Sequence, residues 1–283
     1  MLIDGKAVGR IALGGAAWSI FDDGDDDEAI RTIRAALDSG IRLIDTARAY
    51  SRSDFDGHNE DLIRRALAKH AARHDVVVAT KGGHYRAGDA FPIDGRPASL
   101  RRDLEHSLRV LQTDSIGLYF LHKPDPNVPI EESVGALAAF RAEGLIRNVG
   151  LSNVDGALLD RASAITEIAA IENPMSLAHG PDHLALRSEL PFLAYSPLAG
   201  LSQLNTESAE VLHSVASRHG VSIQRVVLSW ILAHSDRTIA IVGSRHPATI
   251  RDSVAPVTLS PEELATVARL AGHSDEKRSP RIA

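Results

Sequence analysis

The sequence predicts an α/β fold of one kind, a parallel (β/α)8 barrel, and three observations predict it. Short apolar runs alternate with longer amphipathic stretches along the chain, the pattern of strands buried on both faces and joined by crossover helices. The length of 283 residues suits such a barrel, which uses about 250 residues as a single domain. Seven of the eight apolar runs also end in a polar or ionisable side chain, and in a barrel those ends all face one mouth.

The elements follow in order. Ile11–Gly14 is the first strand, and Asp26–Ser39 the helix after it. The acidic run Asp22-Asp23-Gly24-Asp25-Asp26-Asp27-Glu28 supplies carboxylates that cap and charge a helix N-terminus; the alternative is a divalent-metal loop. Arg42–Asp45 leads to the helix Asn59–Ala72, Val76–Lys81 to Ser99–Leu111, and Ile116–His122 to Ile130–Glu143. Val149–Asn153 is followed by Val154–Ile165, and Ala169–Glu172 by Phe192–Tyr195. Ser208–Gly220 reads as an extra helix before Ser222–His234, and Ile239–Ser244 is the last strand. A final helix starts at Ser260, where Ser260-Pro261-Glu262-Glu263 has an N-cap, a first-turn proline and a capping-box glutamate. No Gly/Ser-rich linker interrupts the pattern, so residues 1–283 are expected to form one domain. An open doubly wound sheet would need G-x-G-x-x-G directly after the first strand, and Gly14-Gly15-Ala16-Ala17-Trp18 does not supply it.

Composition excludes several classes. A net charge of −6 disfavours nucleic-acid binding, which neutralises phosphates with clustered Lys and Arg. No apolar run approaches the roughly 20 residues that cross a bilayer, so no membrane association is expected. The chain has no cysteine, hence no disulfide, thiolate nucleophile or cysteine metal ligand. Together with an N-terminus that lacks a basic segment and an apolar segment, this leads to the expectation of a cytoplasmic protein. The expected assembly is a monomer or weak homo-oligomer.

The strand ends carry the chemistry. Asp45 closes one strand, and Tyr50 follows in a loop short enough to fold back over the same mouth. Lys81 closes the next strand, within reach of an ion pair with Asp45, and His122 closes the one after. An ammonium beside a phenol favours the phenolate and is expected to lower the pKa of Tyr50 from about 10. Each of the four has a bland reading alone, as a structural carboxylate, a solvated strand end, a packing tyrosine or a core histidine. Converging on one mouth, they suit donation of a proton to a carbonyl oxygen.

The segments Leu43-Ile44-Asp45-Thr46-Ala47-x-x-Tyr50, Asn59-Glu60, Thr80-Lys81, Leu121-His122 and Gly150-Leu151-Ser152-Asn153 resemble the signature segments of the aldo-keto reductase family. Their order and separations match from Leu13 to Ser253. The resemblance implies a catalytic tetrad of Asp45, Tyr50, Lys81 and His122, with Tyr50 as acid, and an extended nicotinamide cofactor. Ser152 and Asn153 match positions that hold the carboxamide, and Tyr195 matches the ring that stacks on the nicotinamide. Ser196, Leu198 and Gly200 would line the pyrophosphate. Gly243-Ser244-Arg245 opens the segment for the adenosine phosphate, where Arg245 favours NADPH over NADH. The sequence departs from the family at Glu172, usually glutamine, and at Thr249 and Ser253, which replace Gln and Asn at the adenine end; Asp252 is a further candidate contact there.

The segment from Leu121 to Glu132 resembles a bacterial subgroup that includes pyridoxal reductases, which makes pyridoxal the specific candidate among small carbonyl substrates. Trp18, Phe21, Tyr85 and Phe91 are candidate walls of an apolar substrate pocket, and residues 274–283 a short lid. A metal-dependent barrel hydrolase would show His-x-His after an early strand, a pattern that His58, His84, His179 and His183 do not form. No metal is therefore expected. A nucleotide-binding redox sensor with little turnover is the remaining alternative.

Overall fold

The computed structural model describes residues 1–271, so the expected lid at 274–283 lies outside the described residues. The chain opens with two short antiparallel strands, β1 (Leu2–Ile3) and β2 (Lys6–Ala7). The alternating part then runs β3 (Ile11–Gly14), α1 (Asp26–Asp38), β4 (Leu43–Asp45), α2 (His58–Leu67), β5 (Val77–Gly82) and α3 (Pro97–Leu111). It continues with β6 (Leu118–Leu121), α4 (Ile130–Ala142), β7 (Val149–Ser152), α5 (Gly156–Ser163) and β8 (Ile168–Pro174). After α6 (His183–Arg187) come β9 (Phe192–Tyr195), α7 (Thr206–His219), α8 (Ile223–Leu232), β10 (Thr238–Gly243), α9 (Pro247–Ser253) and α10 (Pro261–Ala268). Strands β3 to β10 pair in parallel in sequence order, and β10 returns to β3 to close the barrel.

The local chemistry explains the boundaries. Asp25 caps α1 by accepting the amide of Glu28 at 3.0 Å, with Asp26, Asp27 and Glu28 in the first turn, so the acidic run does cap and charge a helix. Ser260 and Glu263 form the expected capping box on α10. Helix α2 stops at Leu67, short of the expected Ala72, because residues Ala71–His74 tighten into a 3₁₀ turn started by the His70 ring accepting the amide of Ala72. The additions are the β1–β2 pair, α6 and α9.

Two apolar clusters divide the interior by strand parity. Ala12, Leu43, Val77, Ala79, Leu118, Phe120, Ala170, Leu193, Ile239 and Ile241 fill the barrel, with Ile3 and Val8 closing its base from the N-terminal pair. Their chain neighbours Leu13, Ile44, Tyr119, Leu121, Leu151, Ile171, Ala194, Ala240 and Val242 pack outward against the helices. Side chains along a strand alternate between faces, so each strand feeds both cores. The filling is tight at Gly150, where a Cβ would sit 2.4 Å from the Phe120 ring; only glycine leaves the ring its place.

Candidate active site

The same parity selects the site. One step beyond the barrel-filling residues, the inward positions at the strand ends are Gly14, Asp45, Lys81, His122, Ser152, Glu172, Tyr195 and Gly243. Below them the barrel is closed by Leu, Ile, Val, Ala and Phe, so the polar groups face the mouth. Above them lies a cavity of about 340 Å³, lined on one side by Asp45, Tyr50, His122, Asn153, Glu172 and Tyr195. Its other side is apolar, with Ile20, Pro197, Leu198 and Ile241.

Lys81 is the centre of the polar side. It is fully buried, and its Nζ donates to Asp45 Oδ1 at 2.6 Å and to the Thr46 carbonyl at 3.0 Å, while Glu172 Oε1 lies 3.2 Å away. Burial works against the ammonium, but Asp45, then Glu172 and Tyr50, overcome it and push its pKa up. Nζ sits 5.1 Å from the centre of the Tyr50 ring. The loop that carries Tyr50 is braced from below: the Thr46 amide bonds the Ala79 carbonyl, the Arg48 amide that of Lys81, and Asn59 ties Thr46 Oγ1 to the Gly15 carbonyl.

Tyr50 corrects an expectation. Burial pushes its pKa up, Lys81 pulls it down, and Asp45 and Glu172 add to the rise, so the net shift is upward. The expected lowering by Lys81 is present and outweighed, because a phenolate in a dry site beside two carboxyl groups loses more solvation than one ammonium returns. His122 stands edge-on to Tyr50, with ring centres 5.7 Å apart. Burial, then Lys81, His84 and Lys123, drive its pKa well below the ordinary value, so the imidazole is neutral. His84, not among the expected site residues, has its ring centre 4.9 Å from that of His122 and is held by the Phe91 carbonyl.

The opposite wall is equally ordered. Tyr195 donates its hydroxyl to Asn153 Oδ1 at 2.7 Å, and Asn153 Nδ2 donates to the His122 carbonyl at 3.0 Å and to Ser152 Oγ at 3.1 Å. Asn153 and Ser196 both adopt left-handed backbone, φ 60° and 50°, a conformation that side chains other than glycine rarely take outside constrained sites. The fixed face of Tyr195, the amide and hydroxyl of Asn153 and Ser152, and the partnerless Glu172 Oε2 together fit a flat ring bearing an amide. Gly200, also left-handed at φ 91°, packs against Ala178, while Leu198 lines the cavity.

Other expected positions do not converge on the cavity. Trp18 is buried and donates to the Ser244 carbonyl; it packs a loop and forms no pocket wall. Phe21 is 66% exposed, and Tyr85 and Phe91 stand on the rim outside the cavity lining. Small and aliphatic residues, among them Ala16, Ala17 and Ile20, take the place expected of the aromatics. Arg245 makes a two-pronged pair with Asp23, at 2.6 and 3.2 Å, and stands over Phe21. Ser244 turns its hydroxyl to the His246 carbonyl and Ser253 to the Thr249 carbonyl, and Thr249 is exposed. Asp252 bonds Ser222 at the start of α8. Arg86, absent from the expected site, clamps the rim through the Ser51 carbonyl at 2.7 Å and the Asp22 carboxylate at 2.6 Å. Among the described residues no group of three or more His, Asp or Glu is arranged to hold a metal ion, and no helix is long and apolar enough to cross a membrane.

A closed parallel barrel whose mouth gathers an acid, an ammonium, a neutral imidazole and a phenol has the build of a barrel enzyme of proton-coupled chemistry. The family model for the aldo/keto reductase family matches residues 10–271, and the chain belongs to that family. It is 31% identical to an aldo-keto reductase of Bacillus subtilis, over 86% of this chain and 82% of the relative. It is 30% identical to pyridoxine 4-dehydrogenase of Escherichia coli, over 93% and 94% of the two chains. Among solved structures, the glycerol dehydrogenase of Gluconobacter oxydans superposes with a TM-score of 0.80 at 27% identity, covering 96% of this chain and 94% of that one. An aldo/keto reductase of Klebsiella pneumoniae in complex with NADP and acetate gives a TM-score of 0.76 at 27% identity, covering 98% and 95%. The protein is thus an oxidoreductase of carbonyl compounds, in a family that uses NADP(H).

Proposed function

We infer that this protein reduces small aldehydes and ketones with NADPH, and that Tyr50 is the proton donor. The observation that carries the reading is the convergence of Asp45, Tyr50 and His122 on one cavity that also holds Tyr195 and Asn153, with Lys81 buried behind them against Asp45 and the Tyr50 ring. Bound NADPH would supply the hydride for the carbonyl carbon. The neutral His122 and the Tyr50 hydroxyl hold the carbonyl oxygen between them, which polarises the bond and fixes its approach. Tyr50 passes its proton to that oxygen as negative charge grows there, and Lys81 stabilises the phenolate left behind. Asp45 keeps Lys81 in line. Because burial raises the pKa of Tyr50, the phenol holds its proton throughout the neutral range, the form needed for reduction.

Ser152, Asn153 and Glu172 are the residues we assign to the carboxamide, Tyr195 to the ring face, Ser196, Leu198 and Gly200 to the pyrophosphate, and Ser244 and Arg245 to the adenosine phosphate. The apolar half of the cavity, with Ile20, Pro197 and Leu198, favours carbonyls on a flat or branched apolar body. Pyridoxal is the specific candidate, supported by the likeness of the segment after His122 to pyridoxal reductases and by the pyridoxine 4-dehydrogenase relative. The test is NADPH oxidation against an aldehyde panel that includes pyridoxal, with Tyr50→Phe alongside. Loss of about 10²–10⁴-fold in kcat is expected for Tyr50→Phe, with NADPH binding retained. Full activity in that variant would sink the assignment, and a wild-type protein that binds NADPH without turnover would favour the sensor reading.

A further inference from the structure

Two carboxyl groups face one ammonium at the mouth. Lys81 Nζ lies 2.6 Å from Asp45 Oδ1 and 3.2 Å from Glu172 Oε1, and all three side chains are buried. Two carboxylates offer only acceptors, and one ammonium neutralises only one of them. Among the described residues, the groups around Glu172 include no second cation. The titratable groups facing Glu172 from neighbouring elements are Asp45 on β4, Tyr50 in its loop, Lys81 on β5, the neutral His122 after β6, and Tyr195 on β9. Strands β3 and β10 present Gly14, Ile241 and Gly243, and β7 presents Ser152. An ionised Glu172 would therefore leave the cluster with excess negative charge, and its Oε2 would be a buried anion with no donor, an arrangement that low-dielectric surroundings penalise strongly.

We propose that Glu172 and Asp45 share one proton across Lys81, held on Glu172, and that this pair is a positioning device that leaves the lysine charge available to Tyr50. The asymmetry follows from distance, since Asp45 has the shorter bond to Lys81 and keeps the negative charge. Burial, then Asp45, push the Glu172 carboxyl up to about 8 against the pull of Lys81, in keeping with a proton retained at neutrality. Above that range Glu172 ionises, Lys81 answers two anions, and the phenolate that Tyr50 must leave behind becomes a third. Carbonyl reduction then slows. A glutamine at this position has no proton to lose and escapes the effect. The slowing rests on the proposed reductase reading; the shared proton does not.

The experiment compares the full-length protein with Glu172→Gln in two ways. Without nucleotide, melting temperature is followed from pH 5 to pH 9. The folded pKa of Glu172 lies above its unfolded value, so its contribution to stability is fully present below the unfolded value and lost as pH rises to about 8. The Glu172→Gln protein should gain on the wild type steadily over that range and then run parallel. With saturating NADPH and an aldehyde, wild-type kcat should fall towards about tenfold per pH unit above the titration, while Glu172→Gln stays flat. A Tm difference that does not change with pH overturns the shared proton, and an alkaline limb at the same pH in both proteins overturns the positioning role. If neither protein turns over any aldehyde yet the Tm gap opens with pH, the shared proton stands and the reductase reading falls. Glu172→Met serves the same comparison should Glu172→Gln not fold.

Discussion

Arg245 stands between two partners. It grips Asp23 with its two terminal guanidinium nitrogens at the outer rim, and in the proposed function the same fork takes the adenosine phosphate. The Asp23 carboxylate competes for a site that a phosphate dianion would fill with stronger charge-assisted bonds. Arg245→Ala should therefore cut the preference for NADPH over NADH by about tenfold, the equivalent of one charged hydrogen bond of about 1.5 kcal/mol, read as the ratio of the two Kd values. Asp23→Ala should tighten NADPH and leave NADH unchanged; an unaltered ratio in Arg245→Ala would remove the arginine from the phosphate site. At this scale the sequence was legible in residue type and order. Asp45, Lys81 and His122 could be recognised because strand ends are where the apolar run breaks. The direction of the Tyr50 shift was not legible, since order along the chain names neighbours but not how much water is lost around them. Trp18 failed for the same reason: a loop aromatic looks alike whether it lines a pocket or packs beneath one.

The strands were legible as elements because buried parallel strands are apolar runs with sharp polar ends, and β3 and β9 have the limits expected of them. Short pieces were not. Helix α6 has five residues and the strands of the N-terminal pair two each, too few for a period to show. Gly150 is the most exacting position within a strand. Because its absent side chain is the space that the Phe120 ring occupies, Gly150→Ala must displace either the ring or the strand. Overpacking of this kind costs about 1–3 kcal/mol, so thermal denaturation should show a clearly lowered Tm. A Tm equal to the wild type would mean that the barrel interior has slack that its packing does not suggest.

The whole molecule divides its labour between two ends. At the base, Ile3 and Val8 plug the barrel, and the N-terminal face of such a fold contributes stability rather than chemistry. Removal of residues 1–9 should lower Tm by roughly 5–10 °C, from the burial of those two side chains. The kcat of the surviving folded protein at low temperature should not change; a matching loss of kcat would show that the base communicates with the mouth. At the mouth, the eight inward strand ends occupy the same phase as the residues that fill the barrel. Packing and catalysis are thereby written in one reading frame. A single-residue insertion or deletion within a strand would turn Asp45, Lys81 or Glu172 out among the helices and bring an outward aliphatic in, ruining core and chemistry together. The loops after β3 and β9, which carry Ile20, Pro197 and Leu198, are outside that frame. Diversification of this scaffold is therefore confined by geometry to its rim, where length and side chain can drift to admit new carbonyl compounds while the proton-handling centre stays as it is.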